Sequence, residues 1–233
     1  MHIGLIGGIG VAATLVYYAR LVAAIEALGA VPEVTIVHAR AADLVRNNRE
    51  DDRAAQVALY VPLLERLQAA GAECAAITSI GGHFCFEETL ARSPLPLVSA
   101  IDPLDAWFAD EGLSRVGLLG TRIAMASRLY GGLRQTDAVV LEKELDTLGS
   151  TYTDTAIAGA CTPEQRAYFL DAGARLVRDR GAEAVVLAGT DLGLAFDGQV
   201  TDYRVVDALD VHVDVLARLG AGQLTLAAAA RLP

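Results

Sequence analysis

The sequence predicts an α/β fold of two similar lobes, each with a parallel sheet flanked by helices, and a ligand cleft between the lobes. Short β-branched or apolar runs alternate with longer amphipathic stretches, and strands separated in this way by helices pair in parallel through right-handed crossovers. Eight such runs divide evenly, four before Asp102 and four after it. We therefore expect one sheet per lobe, with the cleft at the carboxyl ends of the strands.

The predicted strands and helices alternate along the chain. The strands are predicted at 2–7, 33–38, 73–79, 96–100, 115–120, 138–144, 183–189 and 203–208, and the clearest helical patterns at 12–29, 50–70, 121–135 and 163–180. The last helix has a start signal, with Thr162 as N-cap, Pro163 in the first position and Gln165 completing a capping box. The turn at Asp102-Pro103 is the predicted crossing, so residues 1–101 and 209–233 form the N-terminal lobe and 102–208 the second.

Composition argues against several classes of function. The net charge of −10 argues against nucleic-acid binding, which requires clustered cations. Lys143 is the only lysine and lies in the polar stretch LEKELDTLG, which argues against a pyridoxal-phosphate (PLP) enzyme because that cofactor needs a lysine for its Schiff base. The three cysteines and four histidines fit no metal-binding pattern. We expect no cofactor and no metal.

The same sequence features bear on the protein's location. No apolar run reaches the ~18 residues of a membrane span, so we expect no contact with a membrane. The N-terminus MHIGLIGGIG has no basic region before its apolar run and is typical of a first strand, not of a signal peptide. We therefore expect a cytoplasmic protein, with a homodimer as the possible assembly.

The first predicted strand passes through a glycine-rich turn into a helix. Gly8, Gly10 and Ala13 fit a relaxed dinucleotide fingerprint, which keeps an NAD(P)-binding protein as an alternative. The acidic residue that normally supports this fingerprint is missing from the end of strand 2, which reads His38-Ala39-Arg40. A tight turn that needs glycine only for its geometry is a further alternative.

The whole segment GLIGGIGVAATLVYY resembles the opening of the aspartate/glutamate racemase family, Gly-Gly-Met-Gly-Pro-x-Ala-Thr, with Ile9 and Val11 in place of the methionine and proline. GAECAAITSIGGHF, VGLLGTRIAMASRLY and GAEAVVLAGTDLGL resemble three further family motifs in the same order. The resemblance implies the two-lobed fold and a PLP-independent racemase or isomerase. It also implies a small carboxylate or amino acid as the ligand.

The resemblance further implies which residues bind this ligand. In the family the glycine-rich turn offers backbone N–H groups and a hydroxyl to a substrate carboxylate. The substrate-binding residues implied at the matching positions are Gly8, Gly10, Thr14, Gly81, Thr121, Gly189 and Thr190. Arg46 follows strand 2, where the family has a loop near the substrate, so its guanidinium is a candidate for holding a second carboxylate.

This sequence departs from the family at the two thiols that act on opposite faces of the substrate α-carbon. A thiol suits that chemistry because its pKa of ~8.5 allows both protonation states near neutrality. At the two positions this chain has Ser79 and Gly189, and neither replaces a thiolate. The sequence favours altered chemistry, with His83 and Asp191 as acid and base and Ser79 as hydrogen-bond donor or nucleophile.

Two alternatives to altered chemistry stay open. One is a conventional racemase of amino acids or related acids whose bases the alignment hides. The other is a non-catalytic protein that binds a carboxylate. Cys85 is either a relocated thiol or a packing residue, and the polar segment 145–161 is expected to be a loop that covers the cleft.

Overall fold

The computed structural model describes residues 1–8 and 10–229, and its strands form two separate four-stranded parallel sheets. The first has the order β2-β1-β3-β4 and the second the order β6-β5-β7-β8. The strands are β1 Ile3–Gly7, β2 Val34–His38, β3 Cys74–Ile77, β4 Leu97–Val98, β5 Arg115–Gly120, β6 Asp137–Val139, β7 Ala184–Ala188 and β8 Val205–Asp207. The predicted fold of two similar lobes with parallel sheets is confirmed.

Helices cover the sheets on both faces, which is why β1 and β7 are buried along their whole length. The α-helices are α1 Val11–Ala27, α2 Ala41–Glu50, α3 Arg53–Ala69, α4 Phe86–Leu90, α5 Asp102–Asp110, α6 Arg122–Ala126, α7 Leu145–Ala158, α8 Pro163–Arg180, α9 Gly193–Phe196, α10 Ala208–Gly220 and α11 Leu226–Ala229. Short 3₁₀ segments occur at Ile80–Cys85, Leu129–Gly131, Glu142–Glu144 and Thr190–Leu192. Within the described ranges, no helix combines the length and the apolar character needed to cross a bilayer.

Helix α8 begins as predicted, because the Thr162 hydroxyl accepts from the Gln165 N–H and the Gln165 side chain accepts from the Thr162 N–H. The predicted helix at 121–135 is wrong beyond Ala126. There the Ser127 hydroxyl donates to the Ile123 carbonyl and accepts from the Tyr130 N–H, and the chain turns into left-handed backbone.

The segment 145–161 is also different from the expected loop, because most of it is helix α7. Its buried residues Leu148, Tyr152, Thr155 and Ala156 recur at helical spacing on one face. Three threonines and a serine lie around these residues in the sequence, and this polar composition suggests a loop. The buried face brings Tyr152 into the centre of the molecule.

The C-terminal helix packs on the first sheet. Leu209 and Leu216 of α10 share a buried cluster with Leu5 of β1 and with Tyr17 and Leu21 of α1. This contact supports the lobe division at 1–101 with 209–233 and 102–208, which stays a proposal; residues 230–233 lie outside the described ranges. A second cluster lies between the first sheet and α3, and a third fills the lobe of the second sheet.

A buried carboxylate fixes the connection between β5 and β6. Asp105 of α5 is fully buried. Its Oδ2 accepts from the backbone N–H groups of Arg134 and Gln135 at 2.8 and 3.0 Å, and its Oδ1 accepts from the N–H of Thr136 at 3.1 Å. These bonds orient the chain immediately before it enters β6.

We expect Asp105→Ala to lower the free energy of unfolding by about 2–4 kcal/mol, because three N–H groups lose a charged acceptor inside the protein. Urea denaturation measures the change. Asp110→Ala, an exposed position on the same helix, is the matched control and is expected to change stability by less than ~0.5 kcal/mol. Equal losses in the two variants would contradict the role of the buried carboxylate.

Candidate functional site

The loops that follow β1, β3, β5 and β7 meet between the two sheets. The Thr14 hydroxyl lies 3.1 Å from the Thr78 hydroxyl, and the Thr190 hydroxyl donates to the Thr78 carbonyl at 3.4 Å. A Cβ placed on Gly81 would lie 2.9 Å from Thr121 Cγ2. The carboxyl ends of both sheets therefore face one cleft, as the parallel topology requires.

A cavity of about 230 Å³ lies in this cleft, bounded by the loops and by helices α2 and α7. Its apolar lining residues are Val11, Ala41, Val45, Ala156, Ile157 and Ala158. Its glycines are Gly8, Gly10, Gly81 and Gly159. Its polar lining residues are Asn48, Arg49, Thr121, Tyr152 and Thr153. The wall is thus mostly apolar, with one cationic side chain.

The structure brings some of the predicted site residues to this cavity and leaves others out. Gly8, Gly10, Gly81 and Thr121 line it. The predicted residues that do not line it, all of them buried, are Thr14, Ser79, His83, Gly189, Thr190 and Asp191. The Thr14 hydroxyl donates to the Gly10 carbonyl within its own helix.

Arg46 is placed outside the cavity. Its guanidinium pairs with Asp43 at 2.9 Å, and its side chain is 55% exposed. One turn further along the same helix, Arg49 lines the cavity instead. Positions 41, 45, 48 and 49 share one face of α2, and this helical spacing is the sequence signal that identifies Arg49.

Ser79 acts as a helix cap. Its Oγ accepts from the Gly82 N–H at 3.3 Å at the start of the 3₁₀ segment Ile80–Cys85. The side chain is almost fully buried. Among the described side chains, no basic group bonds to this hydroxyl, so the geometry provides nothing that would activate it as a nucleophile.

His83 is fixed by the main chain on both sides of its ring. Nδ1 donates to the Ser79 carbonyl at 2.8 Å, and Nε2 accepts from the Ala100 N–H at 3.0 Å, which defines the neutral tautomer. The ring stacks on Phe86 with centroids 5.2 Å apart. Burial lowers the pKa of His83 to about 4. This geometry does not fit the acid–base role expected from the sequence, because neither nitrogen is free near neutral pH.

Asp191 joins the two lobes through its carboxylate. Oδ1 accepts from the Ala13 N–H in the first turn of α1 at 3.1 Å, and Oδ2 accepts from the Tyr152 hydroxyl at 3.2 Å. The helix N-terminus favours this negative charge, but burial outweighs the two hydrogen bonds and raises the pKa of Asp191 to about 6. A Cβ on Gly10, whose φ is +70°, would overlap the carboxylate, so glycine is required there.

Tyr152 occupies the space beside Gly189. A Cβ added to Gly189 would overlap the Tyr152 ring. Burial raises the pKa of Tyr152 well above its usual value, so its hydroxyl stays protonated and serves as a donor to Asp191. The aromatic ring therefore fills the position from which a side chain at residue 189 would project. Sequence reasoning missed Tyr152 because it lies in the segment predicted to be a loop.

A left-handed turn of non-glycine residues closes the cleft on one side. Arg128, Leu129 and Tyr130 have φ angles of 50°, 55° and 60°, which cost roughly 1–2 kcal/mol per residue. The Tyr130 hydroxyl lies 3.2 and 3.3 Å from the carbonyl oxygens of Ile80 and Gly81, to which it donates. The turn thus holds the segment that contributes Gly81 to the cavity.

The remaining reactive residues lie away from the cavity. Cys85 is fully buried, and burial raises the pKa of its thiol to about 11, which suits packing and not a relocated thiolate. Lys143 is exposed in the turn Glu142–Glu144. Among the residues that the structure describes, no three histidine, cysteine or acidic side chains are grouped so as to hold a metal ion.

Comparisons with known proteins agree on one family. A family model described as Asp/Glu/Hydantoin racemase matches residues 6–216. Among solved structures, an aspartate racemase homologue from Pyrococcus horikoshii is 24% identical, with a TM-score of 0.74 and coverage of 94% of this chain and 99% of the other. The aspartate racemase of Picrophilus torridus is 16% identical, with a TM-score of 0.74 and 94% of each chain covered.

A glutamate racemase from Francisella tularensis, solved in complex with D-glutamate, is 12% identical. Its TM-score is 0.64, and the match covers 94% of this chain and 80% of the other. At these identities the solved structures establish the shared fold.

We expect Gly189→Cys to lower the free energy of unfolding by about 1–3 kcal/mol, because the new side chain overlaps the Tyr152 ring. Ser79→Cys, the matched thiol at the other position, replaces oxygen by sulfur without this overlap and is expected to cost less. In a Tyr152→Ala background the cost of Gly189→Cys should nearly vanish, which a double-mutant cycle measures. A Gly189→Cys protein as stable as the wild type would contradict the packing described here.

We expect Asp191 to make the protein less stable as pH rises from about 4 to about 6. The folded state binds this proton more tightly than the unfolded chain, whose aspartate pKa is ~3.9, so the wild type should lose about 2–3 kcal/mol relative to Asp191→Asn over this range. Urea denaturation of both proteins at several pH values gives the difference. The raised pKa of Asp207 cancels because both proteins retain that residue. A pH-independent difference would show that the Asp191 pKa is normal.

Proposed function

Because the chain belongs to the Asp/Glu/Hydantoin racemase family, we propose that its cleft cavity binds a small carboxylate or amino acid. Membership of the family supports a racemase-type function on amino acids, and our proposal takes from it the class of ligand but not the proton chemistry. The position of the cavity supports the proposal, since it lies where the strand ends of both lobes meet. Arg49 supplies a positive charge beside the mostly apolar wall.

The protein binds this ligand without removing its α-proton. One observation carries this part of the proposal: among the described residues that line the cavity, the only ionisable side chains are those of Arg49 and Tyr152. A guanidinium carries only N–H donors and no acceptor, and burial raises the pKa of Tyr152 well above its usual value. Racemisation by a general base requires a group that accepts the α-proton. Neither of these side chains accepts a proton near neutral pH.

A second candidate function is removal and return of the substrate α-proton by groups other than thiols. It is favoured by the bond between the Tyr152 hydroxyl, which reaches the cavity wall, and Asp191, whose pKa is about 6. In this route the Tyr152 oxygen takes the α-proton of the substrate while its own proton passes to the Asp191 carboxylate, and the reverse transfer returns a proton to the α-carbon, which exchanges that proton with solvent. In this route Asp191 has the acid–base role that the sequence predicts, whereas His83 takes no part in the reaction.

The NAD(P)-binding alternative has less support. A dinucleotide would place its pyrophosphate at the N-terminus of α1. The Asp191 carboxylate already bonds to the first turn of that helix, through the Ala13 N–H, and its negative charge would repel a second anion. Independence of PLP is also part of the proposal, supported by the position of the single lysine, Lys143, outside the described cavity lining. A cytoplasmic location and a homodimer are kept as proposals.

We expect isothermal titration to detect binding of at least one small carboxylate or amino acid, and NMR in D₂O to detect no exchange of the α-proton of L- or D-aspartate or glutamate. A glutamate racemase run in parallel is the positive control for exchange. Rapid deuterium incorporation would overturn the non-catalytic proposal. If Asp191→Asn and Tyr152→Phe then abolished exchange without unfolding the protein, the thiol-free route would replace it.

A further inference from the structure

Resting on the proposed function, we infer that the ligand of the cleft cavity is a small monocarboxylate with an apolar group, and that Arg49 recognises its carboxylate. The inference names a ligand class that differs from the dicarboxylic amino acids suggested by the resemblance. It depends on three properties of the cavity: its single cation, the commitment of its other polar groups, and its apolar wall.

Arg49 is the one cationic side chain among the described residues of the lining. Nearby arginines are already paired, Arg46 with Asp43 and Arg53 with Glu88. No hydrogen bond or ion pair joins the Arg49 side chain to the described part of the chain. A guanidinium matches a carboxylate through two parallel N–H donors, so Arg49 provides a place for one such group.

The other polar side chains of the lining are largely committed to the protein itself. Asn48 Nδ2 donates to the Gly81 carbonyl at 2.7 Å, and the Thr153 hydroxyl donates to the Gly149 carbonyl at 2.9 Å. The Tyr152 hydroxyl donates to Asp191, whose carboxylate also takes the Ala13 N–H of the helix terminus. Arg49 is therefore the one charged donor left for a ligand within the described lining.

A dicarboxylic amino acid fits these groups poorly. It carries two carboxylates and an ammonium group, whereas the described lining has one cation and no acidic side chain to pair with the ammonium. Burying an ion without a partner is strongly unfavourable in an apolar site. A ligand with a single negative charge leaves no such group unpaired.

The rest of the cavity suits a hydrocarbon group. Val45 of α2 and Ala156 of α7 face the space, and Val11 and Ile157 line it while remaining 56% and 65% exposed. An apolar group bound here would cover these two side chains and remove their surface from water, which favours binding. At about 230 Å³ the cavity is smaller than the ~300–1,000 Å³ that holds drug-sized ligands, which fits a small molecule.

The test is isothermal titration of the full-length protein with 4-methylpentanoate, 4-methylpentanamide, succinate, L-aspartate and L-glutamate. We expect 4-methylpentanoate to bind at least tenfold more tightly than the two dicarboxylic amino acids, succinate and the uncharged amide. Arg49→Gln should lower its affinity at least tenfold. Arg46→Gln, the same change one turn away on α2 but outside the cavity, should leave its affinity within twofold of the wild type.

Ile157→Asn tests the apolar half of the site at an exposed position that can change without unfolding the protein. This substitution should lower the affinity for 4-methylpentanoate. It should leave the melting temperature of the protein and any binding of succinate unchanged. Tighter binding of succinate or L-aspartate than of 4-methylpentanoate would overturn this inference and leave the proposed function standing. Unchanged affinity in Arg49→Gln would also overturn it. Failure of this panel and of a wider set of small carboxylates and amino acids to bind would overturn the proposed function itself.

Discussion

The centre of the molecule depends on one desolvated carboxylate. Asp191 follows the central strand of the second sheet, yet its two oxygens are satisfied by the first turn of α1 and by Tyr152 of α7. A buried carboxylate is stable only where donors surround it. The two lobes must therefore approach each other closely enough for these contacts. Residue 10 must be glycine because a Cβ there would overlap the Asp191 carboxylate oxygens. These contacts fix the distance between the lobes on this side of the cleft.

Ser79 and Gly189, the two residues that the resemblance aligns with the family thiols, are each fixed by local packing. Ser79 caps a 3₁₀ segment, and the Tyr152 ring fills the space beside Gly189. A thiol introduced at position 189 alone would thus meet an aromatic ring, and position 79 already holds a capping hydroxyl. Both positions are therefore packed around the residues that they hold.

The fold could be predicted from the sequence because apolar runs and helices alternate along the whole chain, and parallel pairing follows from that order. The site could be predicted only as far as the loops that form it. Motif matching identified the glycines and Thr121, but side-chain direction on a helix placed Arg49 and not Arg46 at the cavity. The role of Tyr152 could not be predicted because the threonines of α7 obscure its helical spacing. The hydrogen bonds of His83 could not be predicted because one of them comes from a backbone N–H seventeen residues away.

The left-handed turn at Arg128–Tyr130 links backbone strain to the separation of the lobes. Its unfavourable φ angles are held partly by the Tyr130 hydroxyl, which reaches across the cleft to the carbonyls of Ile80 and Gly81. Moving the lobes apart would break those bonds and leave the turn free to relax. The backbone strain of the three residues, roughly 1–2 kcal/mol each, would then offset part of the cost of opening the cleft.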